Sequence, residues 1–468
     1  MIADLKPYSK YKKSELQWLG DVPAHWDLRP TFGAFAPNSE RNDGLKEKTV
    51  LSLSYGRIVI KPAEKLHGLV PESFETYQIV NPGDIVLRTT DLQNDHTSLR
   101  VGFVNNRGII TSAYLALRAI RGVDPKFGFQ FLNVWDTSKA IYGYGSGLRQ
   151  GLDFSHFKRM SVAIPPADEQ DAIVRFLDWA NGRLDRAIRA KRKVIALLNE
   201  QKQAIIHRAV THGLDSSVPL KPSGIPWLGD IPQHWRISRL SQLSTRIGDG
   251  LHGTPQYVDQ SPYYFINGNN LVNGDIRLKS STRCVSENEF KKYLIALDDS
   301  SVLMSINGTI GSVACYRGES IILGKSAAYI NCGMELIRNF LIFYLRSPAV
   351  INFLRSDVTG TTIFNLSLAS VRGLHIPLPP VDEQIMIVSS IEDLIAPVSI
   401  AISRLEREID LLRDYRTRLV ADVVTGKLDV REAAAKLPVE EPGGPVELES
   451  EGLQPEEEEF TEEAQVEP

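Results

Sequence analysis

A phosphate-binding loop places four residues between its two glycines ahead of a Lys-Ser/Thr pair. The nearest approach in this chain is Gly318-Glu-Ser-Ile-Ile-Leu-Gly324-Lys325-Ser326, which has five and is read as a chance match. Gly143-Tyr-Gly-Ser-Gly147 lacks the dinucleotide-binding spacing and follows no clear strand. There is no Asn-Pro-Pro-aromatic motif of amino-methyltransferases and no Pro-Asp dipeptide to open a nuclease carboxylate cluster. Cys284, Cys315 and Cys332 have neither pairwise nor zinc-like spacing, so they are expected to be small buried hydrophobes. His25 and His234 stand in a repeated tag, where packing or turn stabilisation is expected rather than acid–base work. Catalytic groups, metals and cofactors are therefore not expected.

The chain is richer in loop residues of the types that read nucleic acid. Arg, Lys, Asn, Gln, Ser and Thr hydrogen-bond base edges, and the cations also hold phosphates. In the first half the candidates are Arg88, Thr89, Arg100, Ser146, Arg149 and Gln150. In the second half they are His252, Thr254, Gln256, Asn269, Asn270, Asn307, Thr309, Thr361 and Thr362. Ser146-Gly-Leu-Arg149 and Thr359-Gly-Thr-Thr362 occupy equivalent places ahead of two Pro-Pro tags, which singles out those two loops.

These candidates are carried by a duplicated frame. Trp18-Leu-Gly-Asp-Val-Pro-Ala-His-Trp26 returns as Trp227-Leu-Gly-Asp-Ile-Pro-Gln-His-Trp235, at an offset of 209 residues. Pro165-Pro-Ala-Asp-Glu-Gln170 returns as Pro379-Pro-Val-Asp-Glu-Gln384, at an offset of 214. Ala209-Val-Thr-His-Gly-Leu-Asp215 answers to Val423-Val-Thr-Gly-Lys-Leu-Asp429 at the same 214. A period this long is a whole domain with its connector, not a solenoid repeat. The expected molecule is pseudo-twofold.

Between the tags, each copy is expected to be a mixed α+β domain. Runs such as Thr49-Val-Leu-Ser-Leu-Ser54, Ile58-Val-Ile60, Gly83-Asp-Ile-Val-Leu87 and Ser301-Val-Leu-Met-Ser305 read as strands. Helices are expected near Phe127–Tyr142 and Met334–Leu345.

After each Pro-Pro tag the texture becomes charged and heptad-spaced. The first stripe is Ile173, Leu177, Ala180, Leu184, Ile188, Lys191, Ile195, Leu198, Lys202, Ile205 and Ala209, and every member has a counterpart 214 residues on, from Ile387 to Val423. That is a coiled-coil seam. A helix of about 44 residues is about 66 Å long, too long to bury its stripe on one compact domain, so the two helices are expected to pair antiparallel. Pro397 should kink the second helix or end a first short one there. Such a rod would hold two similar domains apart, as reading two DNA half-sites at one separation requires. Charges on the first helix, Arg183, Arg186, Arg189, Lys191 and Arg192, are candidates for the DNA backbone between them.

The expected fold class is thus α+β: two similar domains joined by two long helices in an antiparallel coiled coil, from an internal duplication. The expected boundaries are 11–166 and 220–380 for the domains, 167–212 and 381–430 for the helices, and 437–468 for an acidic disordered tail. That tail holds twelve Glu and no Lys or Arg, and without it the net charge of −4 becomes +8. A mildly basic body suits nucleic acid. The first residues lack a basic-then-apolar signal and no strongly apolar run suggests a membrane span, so a cytoplasmic protein is expected. The rival expectation is a coiled-coil scaffold whose two domains bind proteins.

Taken together, the paired Trp-Leu-Gly-Asp-x-Pro-x-His-Trp tags, the Pro-Pro-x-Asp-Glu-Gln helix starts and the matched heptads resemble the specificity subunit of type I restriction-modification enzymes, over residues 11–430. Asp249-Gly-Leu-His-Gly-Thr-Pro-Gln-Tyr257 and Asn307-Gly-Thr-Ile-Gly311 are similar to recurrent segments of its recognition domains. The resemblance implies a non-catalytic subunit with two target-recognition domains. It implies that double-stranded DNA, two methyltransferase subunits and the motor-nuclease restriction subunits are its partners. The Glu-rich tail departs from the family pattern.

Overall fold

The computed structural model describes residues 5–62, 73–93, 95, 97–145, 151–308, 310–356 and 365–438. The chain divides into two compact units, Met1–Asp185 with Arg413–Pro468, and Arg186–Leu412. Each unit takes one half of each long helix.

In the first unit a four-stranded antiparallel sheet runs in the order Phe35–Pro37, Leu115–Ala119, Ile85–Leu87, Val101–Phe103. Helix Pro125–Thr137 packs on it, started by Asp124, whose side chain accepts from the Phe127 amide. Phe127, Phe131 and Trp135, at steps of four, are fully buried, the signature of one helix face turned to a core. Trp26, Phe35, Phe157 and Phe176 complete that core, which also receives Leu419, Val420, Val423 and Val424 from the end of the second long helix.

The second unit repeats the plan. Its sheet runs Ser244–Asp249, Ala327–Cys332, Ser301–Ser305, Val313–Cys315, again antiparallel, followed by helix Arg338–Leu345. A second, mixed sheet joins Tyr257–Val258, Cys284–Val285, Tyr264–Ile266 and Ile321–Leu323. The last of these strands fills the gap between Gly318 and Gly324, so the stretch with near phosphate-loop spacing is a buried strand and no cradle for phosphate. The three cysteines are free; Cys315 and Cys332 are buried and Cys284 is half-buried. Burial pushes the Cys332 thiol up to about 12.

Both long helices form where the heptads place them, Ala167–His212 and Val381–Val424. Within the second unit Lys191 pairs with Glu408, and Lys202 Nζ donates to Ser399 Oγ at 3.0 Å, so residue numbers rise on one helix as they fall on the other. Within the first unit Asp185 pairs with Arg416, and Glu169 faces Arg431, seven residues past the end of the second long helix, at 3.9 Å. The helices are therefore antiparallel in each. The second helix runs through Pro397 without ending. Proline there removes one backbone donor, but it is exposed, leaving the freed carbonyl access to water, and Ile391 and Ile402 hold the seam on either side.

Two details depart from the sequence reading. Leu394 lies 52% exposed, while its neighbour Ile395 packs on the second unit's core. The second long helix also contains a window apolar enough to cross a membrane by length and composition, which the sequence reading had passed over. Ile387, Val388 and Ile391 in it are buried in the second unit's core, but Ile385, Met386, Leu394 and Ile400 lie open. Of the expected tail, Leu437 is buried, and the acidic stretch from residue 439 on lies outside the described residues.

Candidate nucleic-acid interface

The repeated tags are structural staples. In the first unit Trp26 Nε1 donates to Glu169 Oε1 at 2.7 Å, the His25 ring bonds Glu169 Oε2 at 2.8 Å, and Tyr8 donates its hydroxyl to the same carboxylate. In the second unit Trp235 Nε1 and the His234 ring make the equivalent bonds to Glu383, at 3.0 and 2.8 Å. Both acids sit in the first turn of a long helix, where the helix dipole favours an anion. The neighbouring glutamines do a second job. Gln170 donates to the carbonyls of Gly122 and Pro165 and accepts from the Asp124 amide. Gln384 donates to those of Glu335 and Pro379 and accepts from Ile337. So the carboxylate ties the tag to the long helix, and the amide ties to it the start of the helix Pro125–Thr137 or Arg338–Leu345.

Four of the candidate readers, Arg88, Thr89, His252 and Asn307, lie at one end of the central sheet of their unit. In the second unit strand Ser244–Asp249 ends there, strand Ser301–Ser305 ends there, and strand Ala327–Cys332 begins there, because the middle strand is antiparallel to both. Asp249, His252, Asn307, Lys325, Asn365 and Ser367 line a cleft of about 290 Å³ at that edge. His252 is exposed and its Nε2 is 2.7 Å from Asp249 Oδ2. The edge presents donors and acceptors on short loops, the chemistry that reads base edges.

The same edge in the first unit carries Arg88 and Thr89, just past strand Ile85–Leu87. One bond fixes the equivalence: the Leu152 amide donates to Thr89 O at 2.8 Å, and the Leu366 amide donates to Ile306 O at 2.8 Å. The segments ahead of Leu152 and Leu366 hold Ser146, Arg149, Gln150, Thr361 and Thr362. Those five, with Thr309, lie outside the described residues.

Three candidates are held inside the fold instead. Arg100 is fully buried, and its guanidinium donates to the carbonyls of Thr90, Asp91 and Asp95 and to Tyr142 Oη. It braces the Arg88–Asp95 loop from behind and has no free donor face for DNA. Burial opposes the charge of Asp95, but amide hydrogen bonds from Ser98 and Thr97 and the Arg100 guanidinium outweigh it and hold the carboxyl at about 2. Asn270 is also buried, capping the turn with Asn267 and donating to Arg277 O and Thr282 Oγ1. Thr89 is 7% exposed and its hydroxyl lies 3.4 Å from Ala113 O. Arg88 is half-buried and pairs with Asp95 at 3.5 Å. On the first helix, Lys191 is engaged by Glu408, whereas Arg186, Arg189 and Arg192 are exposed.

Thr254, Gln256 and Asn269 are exposed, but away from the cleft that holds His252 and Asn307. Sequence reasoning missed Asp249, Lys325 and Asn365. Lys325 had been seen only as the lysine of a failed phosphate loop. Its place two residues before the middle strand was the usable signal. Among the described residues no group of three or more His, Cys, Asp or Glu could hold a metal.

Comparison with known proteins agrees with this architecture. Residues 235–411 match the Type I restriction modification DNA specificity domain. The chain is 30% identical to the type I restriction enzyme EcoBI specificity subunit of Escherichia coli over 305 residues, covering 62% of this chain and 64% of that one. It is 22% identical to the MjaVIII specificity subunit of Methanocaldococcus jannaschii, over 75% of this chain and 81% of the relative. A chain from a solved structure concerned with assembly of the type I restriction-modification system superposes with a TM-score of 0.59 at 17% identity, covering 87% of this chain and 99% of that one. The duplicated units, the antiparallel helices and these relatives converge: the chain is similar to the specificity subunits of type I restriction-modification systems.

Proposed function

We propose that this chain reads a bipartite DNA sequence, one half with each unit, and directs catalytic subunits to it without carrying out chemistry itself. The observation that carries this reading is the equivalence of the two sheet edges, which puts Thr89 and Leu152 in one unit where Ile306 and Leu366 stand in the other, with Arg88 just before the first and Asn307 just after the second. A protein that presents the same edge twice is suited to two short half-sites around a fixed gap. Side chains at such an edge supply base contacts, while exposed cations such as Arg186, Arg189 and Arg192 supply sequence-independent phosphate contacts.

In this reading His252, Asn307 and Lys325 form the second half-site's cleft, and Thr254, Gln256, Asn269, Thr309, Thr361 and Thr362 remain proposed contacts of the same half-site. Arg88, Ser146, Arg149 and Gln150 contribute to the first. Two methyltransferase subunits dock on the long helices, where the open Ile385, Met386, Leu394 and Ile400 offer an apolar face of the kind that marks a partner surface. The motor-nuclease subunits join that assembly, and the complex works in the cytoplasm.

The test is co-expression of the chain with a type I methyltransferase subunit from its own genome, followed by mapping of N6-methyladenine across the host DNA. One split motif with a constant gap is expected. A soluble complex that methylates no motif would refute DNA reading and favour a scaffold whose domains bind proteins.

A further inference from the structure

The second unit contains another pocket, of about 480 Å³, lined among others by Gln203, Asn269, Asn273, Lys279, Ser312 and Arg346. Arg346 caps the end of helix Arg338–Leu345. Its guanidinium reaches the turn Asn273-Gly274, close enough that a Cβ on Gly274 would sit 3.8 Å from Nη1. That turn closes the hairpin Leu271–Val272/Asp275–Ile276, and both its residues have positive φ, 55° and 95°, as a tight Asn-Gly hairpin requires.

The charges in this pocket do not balance. Arg346 is half-buried, and among the described residues its guanidinium has no hydrogen-bond or ion-pair partner. Asp275 is the acid that acts on it, but Asp275 is engaged by Arg317 at 2.9 Å. Lys202, on the first long helix, is close enough that burial and the Arg346 charge together pull its ammonium below its usual range. Lys279 adds a third, exposed cation. Gln203 contributes a buried amide oxygen without a partner, in a group whose oxygen and nitrogen can exchange places by a simple flip. Burying cationic charge without a counter-ion is costly. An arriving anion would relieve that cost.

We propose that this pocket seats one backbone phosphate of bound DNA, with Arg346 as the principal contact, Lys279 beside it and Lys202 adding charge from the helix. The proposal rests on the DNA-reading function above. Its position fits, because Gly311 and Ser312 of the pocket lie only four to five residues from Asn307 of the reading edge, a chain path of no more than about 18 Å. A phosphate contact here would fix register without reading sequence.

The test measures binding of the full chain, in complex with its methyltransferase subunit, to a duplex carrying its mapped motif and to a scrambled duplex, across a range of KCl concentrations. Arg346→Met is expected to weaken binding to both duplexes by the same factor, on the order of fivefold at 0.15 M salt, and to reduce the salt slope by about one. Arg346→Lys is expected to keep the slope, and Lys279→Met to lower it in the same direction. The melting temperature of Arg346→Met should not fall, since the guanidinium has no partner to lose. If the unsubstituted complex reads its motif but Arg346→Met leaves affinity and slope unchanged, the phosphate seat is overturned and the reading function stands. Loss confined to the motif duplex would also overturn it, making Arg346 a base reader. If the unsubstituted complex shows no motif-dependent binding, the reading function fails and takes this site with it.

Discussion

Trp26 and Glu169 lie 143 residues apart in sequence, yet the indole Nε1 donates to the carboxylate at 2.7 Å. Trp235 and Glu383 repeat the bond at 3.0 Å. The two are not equally embedded. The Glu169 side chain is 2% exposed and also meets His25, Tyr8 and Arg431, whereas Glu383 is 21% exposed and meets His234 and Trp235. Removing one partner of a buried hydrogen-bonded group costs about 1–3 kcal/mol, and more when charge is involved. Glu169→Ala should therefore cost about 3 kcal/mol and Glu383→Ala about 1 kcal/mol. Urea unfolding of the full chain measures both, and equal losses would contradict the difference in burial.

The pair of glycines that end the long helices makes a sharper comparison. Gly426 and Gly213 both have φ near +76°, which costs an L-residue roughly 1 kcal/mol or more. A Cβ on Gly426 would stand 2.3 Å from Pro23 Cδ, whereas one on Gly213 meets nothing nearer than Trp235 at 3.3 Å. Gly426→Ala should lose about 3 kcal/mol against about 1 kcal/mol for Gly213→Ala. Reversal of that order in thermal melts would show that the Pro23 contact yields easily.

Asp95 predicts an acid limb to stability. Its carboxyl is held at about 2 in the fold, against about 3.9 when unfolded. A depressed folded value stabilises above the unfolded value, so the contribution is present above about pH 4 and is lost as pH falls toward 2. Asp95→Asn should be less stable than the parent at pH 7, with the gap closing near pH 2. A gap that does not change with pH would remove the carboxylate from the account.

Arg100 and Asn307 should separate stability from specificity. Arg100→Met strips hydrogen bonds from four loop carbonyls and is expected to cost about 3 kcal/mol without changing the methylated motif of the protein that remains folded. Asn307→Ala and His252→Ala are expected to leave the melt within about 0.5 kcal/mol. Each should relax one base position in a single half-site, by about 1–3 kcal/mol. Methylome mapping of the variants checks this, and a motif unchanged by both substitutions would place base reading elsewhere.

The parts of this protein legible in its residues are those governed by local rules or by copying. The long helices follow from heptad spacing, which depends only on neighbours a turn or two away, and each observed helix contains its stripe, the second ending at Val424 rather than 430. Antiparallel pairing was legible because so long an apolar stripe needs an equally long partner. The duplication was visible as spaced tags, and strands such as Leu51–Ser54 and Ser301–Ser305 showed through their composition.

What the residues did not disclose depends on contacts distant in sequence. Arg88 and Arg100 look alike as loop arginines, but a neighbouring turn, Asp136 and Tyr142 enclose one of them, and burial has no local signature in a chain of twelve residues. Asn269 and Asn270 are adjacent, and the hairpin beneath them turns one outward and spends the other on Arg277 and Thr282. Lys325 joins Asn307 and His252 because antiparallel order brings a strand's start beside two strands' ends. Tertiary packing alone determines which polar side chains keep free donors and which are consumed in holding the sheet edge in shape, because the free energy of an unpaired polar group depends on what surrounds it in space.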